Sequence, residues 1–339
     1  MNIAIHQDKL VKTFHDNSNL QMKTDKEKYR AICKIERISL FSMDWWLDAV
    51  CGEDNWEVIL IEANDKVVAA WPIYLKRKIG FTVITLPPMT PFASIWVHQP
   101  EDQKYSTRLS REIDIYSQLI KKLPKFDSCS VSFDYDFNNW MPFYWNGFRQ
   151  TTKYSFVVEG ISNQEKLLQN FSKEYRSRIK KAEQNLQIKF GLSPEAFYAL
   201  HVKVLQGIGK KINYSFDLLQ RIYNGIKANN CGEILYALDE SNQLIGASLI
   251  ARDKNCAYAI TGAYDRESNS TGASSLLYYE AMKYSSAFVD KYDLGNTMIN
   301  SLSLTKRHYG SVQVQSHRIS KNNSKLLKIR SFIMNDLFE

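Results

Sequence analysis

The chain has 339 residues, which is long for a single hydrophobic core and is typical of two domains. Apolar side chains make up 44% of it and aromatic ones 13%, so the composition supplies a large core and excludes a disordered chain. The net charge of +8, from 44 basic and 36 acidic residues, is compatible with an anionic partner and also with an ordinary basic surface.

The cysteines and the apolar runs bear on the compartment. Five cysteines are scattered without C-x-x-C spacing, which predicts reduced thiols and neither a disulfide framework nor a zinc site. The N-terminal residues lack the apolar run of a signal peptide, and the longest apolar stretch, near residues 67–75, falls far short of the roughly 20 residues that cross a bilayer. We therefore expect a cytoplasmic protein.

Two stretches of the chain predict the same β-hairpin. The first reads EVILIEANDKVVAAWPIY from Glu57, and the second reads EILYALDESNQLIGASLI from Glu233. Each is an apolar run, a polar turn and a second apolar run, which is the pattern of two paired strands.

Around both hairpins we predict the same order of elements: helix, hairpin, strand, helix, strand, short helix and strand. After the hairpin, the elements of the first half are residues 81–86, 110–123, 128–134, 139–147 and 154–158, and those of the second half are residues 257–264, 274–289, 291–295, 302–310 and 312–319. A repeated order of this length indicates an internal duplication.

One helix is predicted between the copies, at about residues 163–185. Its apolar residues are Leu168, Phe171, Tyr175, Ile179, Ala182 and Leu186. They step by three or four positions, which places them on one face of an α-helix. We expect the boundary near Gly160, with an N-terminal domain at 1–160 and a C-terminal domain at 161–339. The predicted fold class is α/β (α+β), with mixed central sheets flanked by helices.

Three short segments carry a family resemblance. Residues 176–182 read RSRIKKA, residues 288–295 read FVDKYDLG, and residues 305–310 read TKRHYG. They are similar, in this order, to the R-x-x-I-[RK]-K-A helix, the passage ending in D-[FL]-G and the F-K-x-x-[FY]-G segment of the Fem-type (FemA/FemB/FemX-like) branch of the GNAT acyltransferase superfamily, with Thr in place of the last segment's Phe. The resemblance implies two tandem GNAT-like acyl-CoA N-acyltransferase domains.

The resemblance also implies a function. An N-acyltransferase of this kind moves an acyl group from acyl-CoA, or an amino acid from aminoacyl-tRNA, to an amine of a cell-envelope precursor, sugar or lipid. It implies no tightly bound cofactor and no metal, and the six histidines show no ligand spacing. The expected partners are acyl-CoA or charged tRNA and an amine-bearing envelope precursor, without a stable nucleic-acid complex; peripheral association with a membrane is compatible with the charge.

Two other functions stay open at this point. One is an aminoacyl-tRNA-dependent aminoacyltransferase of the peptidoglycan type. The other, of a different class, is a non-catalytic tandem GNAT protein that binds or scaffolds. A nucleic-acid-binding protein without catalysis is disfavoured, because RNP-type aromatic motifs are missing.

A loop before the second-half helix is the candidate donor site. In GNAT folds a loop [RQ]-x-x-G-x-[GA] binds pyrophosphate through backbone N–H groups at a helix N-terminus. The corresponding residues are Asn269, Ser270, Thr271, Gly272, Ala273 and Ser274. An ordinary capped helix start explains them equally well. Prolines occupy this place in the first half and remove N–H donors, so we expect the donor on the C-terminal domain and either the acceptor or no ligand on the N-terminal domain.

Three residues are the candidate catalytic groups. By resemblance, Lys306 faces the acyl donor, where it would pair with phosphate or stabilise an oxyanion. Tyr264 would relay the amine proton, and Asp293 would orient the acceptor amine, which attacks the donor carbonyl without a covalent enzyme intermediate. Each has an ordinary alternative: a solvated lysine, a packed tyrosine and a turn-forming aspartate.

Four further residues are candidates for the acceptor or its phosphates. Arg176 and Lys180, one helical turn apart, would bind phosphates, although a charged outer helix face is the ordinary explanation. Trp96 and Asp134 suit a sugar- or amine-bearing acceptor, because they place aromatic rings beside a carboxylate. A seam between domains is the favoured alternative for this second pair.

Overall fold

The computed structural model describes residues 24–100, 102–265 and 272–333. The helices are α1 (Asp25–Ile35), α2 (Asp44–Cys51), α3 (Tyr105–Lys121), α4 (Met141–Trp145), α5 (Gln164–Asn170), α6 (Lys173–Asn185), α7 (Pro194–Gln206), α8 (Phe216–Ala228), α9 (Ala273–Ser285), α10 (Asn300–Arg307) and α11 (Lys325–Ile333). The strands are β1 (Trp56–Ala63), β2 (Lys66–Lys78), β3 (Phe81–Thr85), β4 (Trp96–Val97), β5 (Ser128–Ser132), β6 (Arg149–Glu159), β7 (Gln187–Phe190), β8 (Gly232–Leu238), β9 (Leu244–Arg252), β10 (Ala257–Tyr264), β11 (Lys291–Asn296) and β12 (Val312–Asn322).

Both predicted hairpins are present, as β1–β2 and β8–β9. Asn64 and Asp65 form the first turn with φ of 51° and 59°, a conformation that Asn and Asp tolerate better than most side chains. In the second turn the Asp239 carboxylate accepts the N–H groups of Ser241 at 2.9 Å and Gln243 at 2.8 Å. Local turn chemistry therefore sets the register of each hairpin.

One sheet runs through the described residues, in the order β1-β2-β3-β5-β12-β6-β11-β10-β9-β8-β7, with β4 paired to β2. The first-half strands β1, β2, β3 and β5 are completed by β12, the last strand of the second half. The second-half strands β8 to β11 are completed in the same way by β6, the last strand of the first half. β6 and β12 lie antiparallel at the centre, from Val157 opposite Val312 to Arg149 opposite Ser320. The mixed α/β fold is confirmed, and each half of the chain contributes its last strand to the strands of the other half.

The single helix predicted at residues 163–185 is wrong, because the segment forms two helices, α5 and α6. Phe171 and Ser172 lie extended between them, with ψ of 149° and 151°. The Ser172 hydroxyl accepts the N–H of Tyr175 at 3.4 Å and so begins α6. Phe171 is buried at the break, so the apolar spacing continues across a helix end and conceals it.

Helices cover both faces of the sheet. On one face α6 and α9 pack through residues such as Ile179 and Leu277. On the other face α2, α7 and α8 pack around Phe197. Since α2 belongs to the first half, its contact with α8 also joins the halves, and Arg221 Nε donates to the Ala49 carbonyl at 2.8 Å.

All five cysteines are free thiols. Cys33, Cys129, Cys231 and Cys256 are buried, and Cys51 is half-buried. Burial raises the pKa of Cys51 to about 12, so its thiolate is scarce at neutral pH.

Replacing Gly232 by alanine is expected to destabilise the second half. A Cβ there would overlap the carbonyl oxygen of Ile250 and lie 2.8 Å from the Cα of Ala251, and backbone atoms do not move aside as a side chain does. Overpacking of this kind costs about 3 kcal/mol, measurable as the free energy of unfolding in urea. Gly207→Ala is the matched control, because Gly207 has a φ of −60° and its added Cβ would meet its neighbours at 3.5 Å. An equal loss in both variants would contradict the steric explanation.

Candidate functional site

Two parallel strands of the second half diverge and open a cleft. β10 pairs with β11 through Ala257 and Tyr258, and beyond these residues the strands splay apart. The register between β9 and β10 shifts between Ala259 and Thr261, which is a bulge of the kind that bends a strand. The resulting cleft has a volume of about 440 Å³.

Both halves of the chain line this cleft. The first half contributes Phe41 and residues 89–91, and the second half contributes β10, the end of β11 and Lys306. Among the described residues that line it, Lys306 is the one charged side chain. The cleft therefore lies between the halves and presents a cation to whatever enters it.

The corresponding place in the first half is filled by the chain itself. Beyond the paired part of β3 and β5, Ala93 bridges to Phe133 in parallel. The Ala93 N–H donates to the Ser132 carbonyl at 2.8 Å, and the Asp134 N–H donates to the Ala93 carbonyl at 3.0 Å. The open cleft is thus on the second half's strands.

Lys306 lies on α10 at the wall of the cleft. Its Nζ donates to the Gly295 carbonyl at 2.6 Å and lies 6.0 Å from the centre of the Phe156 ring. Burial lowers the pKa of Lys306 to about 8, and the nearby carboxylate of Asp293 acts in the opposite direction. A cation at neutral pH is therefore held here with little water around it.

Asp293 lies beneath the cleft and does not line it. Its Oδ1 accepts the Ser155 hydroxyl at 2.5 Å and the Gly295 N–H at 2.7 Å. Burial raises the pKa of Asp293, and these hydrogen bonds and the charge of Lys306 oppose that rise. Gly295 has a φ of +88°, which favours glycine, so Asp293 fixes the turn that aims the Gly295 carbonyl at Lys306.

Tyr264 lines the cleft at the end of β10. Its hydroxyl lies 2.6 Å from Ser248 Oγ, and its ring centre lies 6.1 Å from that of Tyr278. The phenol lies over Gly262, where an added Cβ would come within 2.5 Å of its oxygen. Burial raises the pKa of Tyr264 well above its usual value, so this residue presents a neutral hydroxyl.

The predicted donor loop is described in part. Asn269, Ser270 and Thr271 lie outside the described residues. Gly272 precedes α9 with a φ of +79°, and it is buried so closely against α6 that a Cβ would lie 2.9 Å from the Arg178 carbonyl oxygen. Ala273 and Ser274 form the first turn of α9. The role of this loop in donor binding stays a prediction.

The four predicted acceptor residues fall into two separate groups, and neither lines the cleft. Arg176 Nη1 donates to the carbonyls of Gln169 at 2.9 Å and Phe171 at 2.5 Å, which ties α5 to α6. Lys180 is exposed on the same helix.

Trp96 and Asp134 line a different cavity, of about 210 Å³. The Ser94 hydroxyl and the Phe137 N–H donate to the Asp134 carboxylate. Burial raises the pKa of Asp134 to about 6. The roles of both groups in acceptor binding stay predictions.

Known proteins share this architecture. Residues 169–297 match the family model of the acetyltransferase (GNAT) domain. The solved structure of FemX superimposes with a TM-score of 0.66 at 12% identity, over 87% of this chain and 96% of FemX. L-PGS from Bacillus licheniformis superimposes with a TM-score of 0.54 at 12% identity, over 92% of this chain and 96% of that one. No curated protein sequence matches significantly. The second half of the chain therefore contains a segment that matches the acetyltransferase (GNAT) domain, and the whole described fold is similar to that of FemX.

The matched segment includes β10 and β11, the two strands that open the cleft, and it supports acyltransferase activity in general terms. In residues 24–100, 102–265 and 272–333, no group of three or more His, Cys, Asp or Glu side chains is placed to hold a metal ion. No helix in the same part of the chain is both long and apolar enough to cross a bilayer.

Several residues that line the cleft cannot be predicted from the sequence. Thr261 and Ser248 lie within strands, and Phe41 and residues 89–91 come from the other half of the chain. The signal for Thr261 is a polar residue followed by Gly262 inside an otherwise apolar strand, which marks a bulge or a close approach. Nothing local marks Phe41, because it reaches the cleft through the packing of the two halves.

Proposed function

We propose that the protein is a tandem GNAT enzyme that transfers an acyl group from acyl-CoA, or an amino acid from aminoacyl-tRNA, to an amine of a cell-envelope precursor, sugar or lipid. The observation that carries the proposal is the splay of β10 and β11 beside a buried lysine. A donor carbonyl between the strands meets the edge of β10 that no longer pairs with β11, and Lys306 stands at the opposite wall. We also propose that the protein acts in the cytoplasm.

The chemistry needs a neutral amine, a polarised carbonyl and stabilisation of the oxyanion. Lys306 supplies positive charge in a site from which much water is excluded, where such a charge is most effective. The amine attacks the donor carbonyl directly, so a C–N bond forms while the bond to the donor's sulfur or oxygen breaks. No covalent enzyme intermediate is required.

A second candidate donor has one observation in its favour. The loop before α9 departs from [RQ]-x-x-G-x-[GA], with Asn269 in the Arg/Gln position and Ser274 in the Gly/Ala position, and this departure favours aminoacyl-tRNA over acyl-CoA. A non-catalytic binding protein is disfavoured, because the second-half cleft is open where the first-half counterpart is filled.

Donor binding tests the proposal. We expect calorimetry with acetyl-CoA, or a gel shift with charged tRNA, to show one site per chain, because the Ala93 segment fills the place in the first half. Mass spectrometry of a mixture with amines should then detect the acylated product. Binding of neither donor, together with no product, would support the non-catalytic alternative, and two sites per chain would contradict assignment of the donor to the second half.

A further inference from the structure

The apolar side chains of α10 face away from the core. Of its eight residues, Ser303 and Lys306 are half-buried and the other six are exposed. A surface helix normally directs its apolar side chains to the core and its polar ones to the solvent. Here Leu302 is 47% exposed and Leu304 is 44% exposed. The helix therefore presents its leucines to something other than its own core.

The residues just before α10 extend this apolar surface. Met298 is 63% exposed and Ile299 is 59% exposed. The Ser303 N–H donates to the Ile299 carbonyl at 2.9 Å, so the helical turn already begins at Ile299, three residues before Leu302. Single apolar side chains are common on protein surfaces, but neighbouring ones mark an interaction site. We call Met298, Ile299, Leu302 and Leu304 the outer patch of α10.

The chain around the outer patch is basic. Residues 294–333 contain seven lysines and arginines and neither aspartate nor glutamate. Arg307 is exposed on α10 itself. This segment therefore favours a partner with negative charge.

A row of cations on α6 begins beside α10. The Ser172 N–H donates to the His308 carbonyl at 2.9 Å, and the Tyr175 and His308 rings stack with their centres 4.6 Å apart. These contacts join the start of α6 to the end of α10. Three exposed cations of α6 recur at steps of three and four residues and so share one side of the helix. They are Lys173, Arg176 and Lys180.

We propose that the outer patch of α10, together with Arg307 and the cations of α6, docks the protein on the surface of an anionic phospholipid bilayer. Apolar side chains that enter the headgroup layer, flanked by lysine and arginine, are the combination that binds at this interface. Each basic residue close to an anionic leaflet adds to the attraction. An RNA partner fits less well, because it would neutralise the cations and leave the four apolar side chains in water.

The two sides of α10 then have different roles. The inner side carries Lys306 at the wall of the cleft, and the outer side meets the lipid headgroups. The cleft wall is then separated from the bilayer by the width of one helix, on the order of 10 Å. The acceptor closest at hand is an amine-bearing lipid or a lipid-linked precursor. This consequence rests on the proposed function, whereas the docking itself does not.

Ile299→Ser combined with Leu302→Ser tests the docking surface, because both side chains are exposed and neither lines the cleft. We expect the wild-type chain to co-sediment with vesicles of phosphatidylcholine and phosphatidylglycerol in equal parts, and much less with phosphatidylcholine alone. The double variant should bind the mixed vesicles on the order of 10²-fold more weakly, since two large aliphatic side chains no longer enter the headgroup layer.

Lys173→Gln combined with Arg307→Gln tests the charge of the surface. This variant should bind the mixed vesicles on the order of 10-fold more weakly than the wild-type chain. Added salt should weaken wild-type binding in the same direction, because it screens exposed charges. Binding that is insensitive to both changes would contradict the anionic character of the partner.

Ile35→Ser combined with Ile79→Ser is the matched control. These side chains are 75% and 87% exposed, but they lie at the end of α1 and in the turn between β2 and β3, so their loss should leave vesicle binding unchanged. An equal loss in the control, or a wild-type chain that binds neither vesicle, overturns the proposal.

Two other partners would give different results. A wild-type dimer that Ile299→Ser with Leu302→Ser separates, without vesicle binding, would make the patch an interface between copies and overturn the proposal. A gel shift with tRNA that Lys173→Gln with Arg307→Gln abolishes, again without vesicle binding, would assign the surface to RNA and overturn it as well. Vesicle binding is measured without donor or acceptor, so failure of docking leaves acyl transfer standing, and absence of transfer leaves docking standing.

Discussion

Replacing Lys306 by alanine is expected to lower kcat/KM for acyl transfer by about 10²- to 10³-fold, the loss typical of removing one group that stabilises charge in a transition state. Lys306 is the one charged side chain among the described residues of the cleft, so no neighbour takes over its role. Initial rates of product formation with the purified variant measure the effect.

Arg307→Ala is the matched control for this substitution. Arg307 follows Lys306 on α10 but is exposed, so its loss should change kcat/KM little. Unchanged kcat/KM in Lys306→Ala would remove Lys306 from the reaction. An equal loss in both variants would indicate that α10 itself is disturbed.

The pKa of Lys306 gives this effect a pH dependence. Because burial lowers that pKa to about 8, the side chain loses its charge as the pH rises through about 8. The ratio of wild-type to Lys306→Ala kcat/KM should therefore be constant below pH 8 and decline above it. The contribution of Lys306 to the free energy of unfolding should change in the opposite direction. Between pH 8 and about pH 10.5, the ordinary pKa of lysine, the folded state binds fewer protons than the unfolded state, so this contribution increases with pH.

A fragment of residues 161–339 is expected not to fold into a stable unit. It lacks β6, which lies between β11 and β12, and it therefore exposes strand edges that template aggregation. A fragment of residues 149–310 retains β6 beside β11 and omits β12, so its six strands β6 to β11 are contiguous. We expect the fragment of residues 161–339 to aggregate and the fragment of residues 149–310 to show the more cooperative unfolding in urea.

Circular dichroism and urea titration of both fragments decide the outcome. Cooperative unfolding of residues 161–339 alone would show that the C-terminal domain is independent and that the exchange of strands is dispensable. Co-expression of residues 1–160 and 161–339 is the positive control, since together they supply every strand of the sheet. The predicted boundary near Gly160 would gain support from recovery of the folded complex.

Structural features that depend only on residues close together in the sequence can be predicted from it. The Asn64-Asp65 turn and the order of elements follow from turn chemistry and apolar spacing, and the structure contains them. The exchange of β6 and β12 cannot be predicted in this way. The apolar residues of a strand, such as Val157, indicate that the strand is buried, but they do not indicate which strand pairs with it. The break between α5 and α6 cannot be predicted from the spacing either. Phe171 lies at the break and packs in the same core as the apolar residues of both helices, so the helical spacing continues through it.

The residues of the cleft also include some that the sequence predicts and some that it does not. Lys306 can be singled out because a short segment around it resembles a family motif, and the structure places it at the cleft wall. Phe41 is not marked by any such motif, because it reaches the cleft only through the packing of the first half against the second. Trp96 and Asp134 do share a cavity, yet it is separate from the cleft, and no sequence pattern measures that separation.

The burial of the thiols makes the native chain convenient for enzymology. The pKa values of Cys33 and Cys129 are raised to about 12 and that of Cys231 to about 11, so at neutral pH these side chains react slowly with thiol-specific dyes. A dye-based readout can therefore follow CoA liberated during turnover over a low background, without replacing any cysteine. An aminoacyl-tRNA donor would liberate a hydroxyl and leave the dye colourless, so one cuvette distinguishes the two donors.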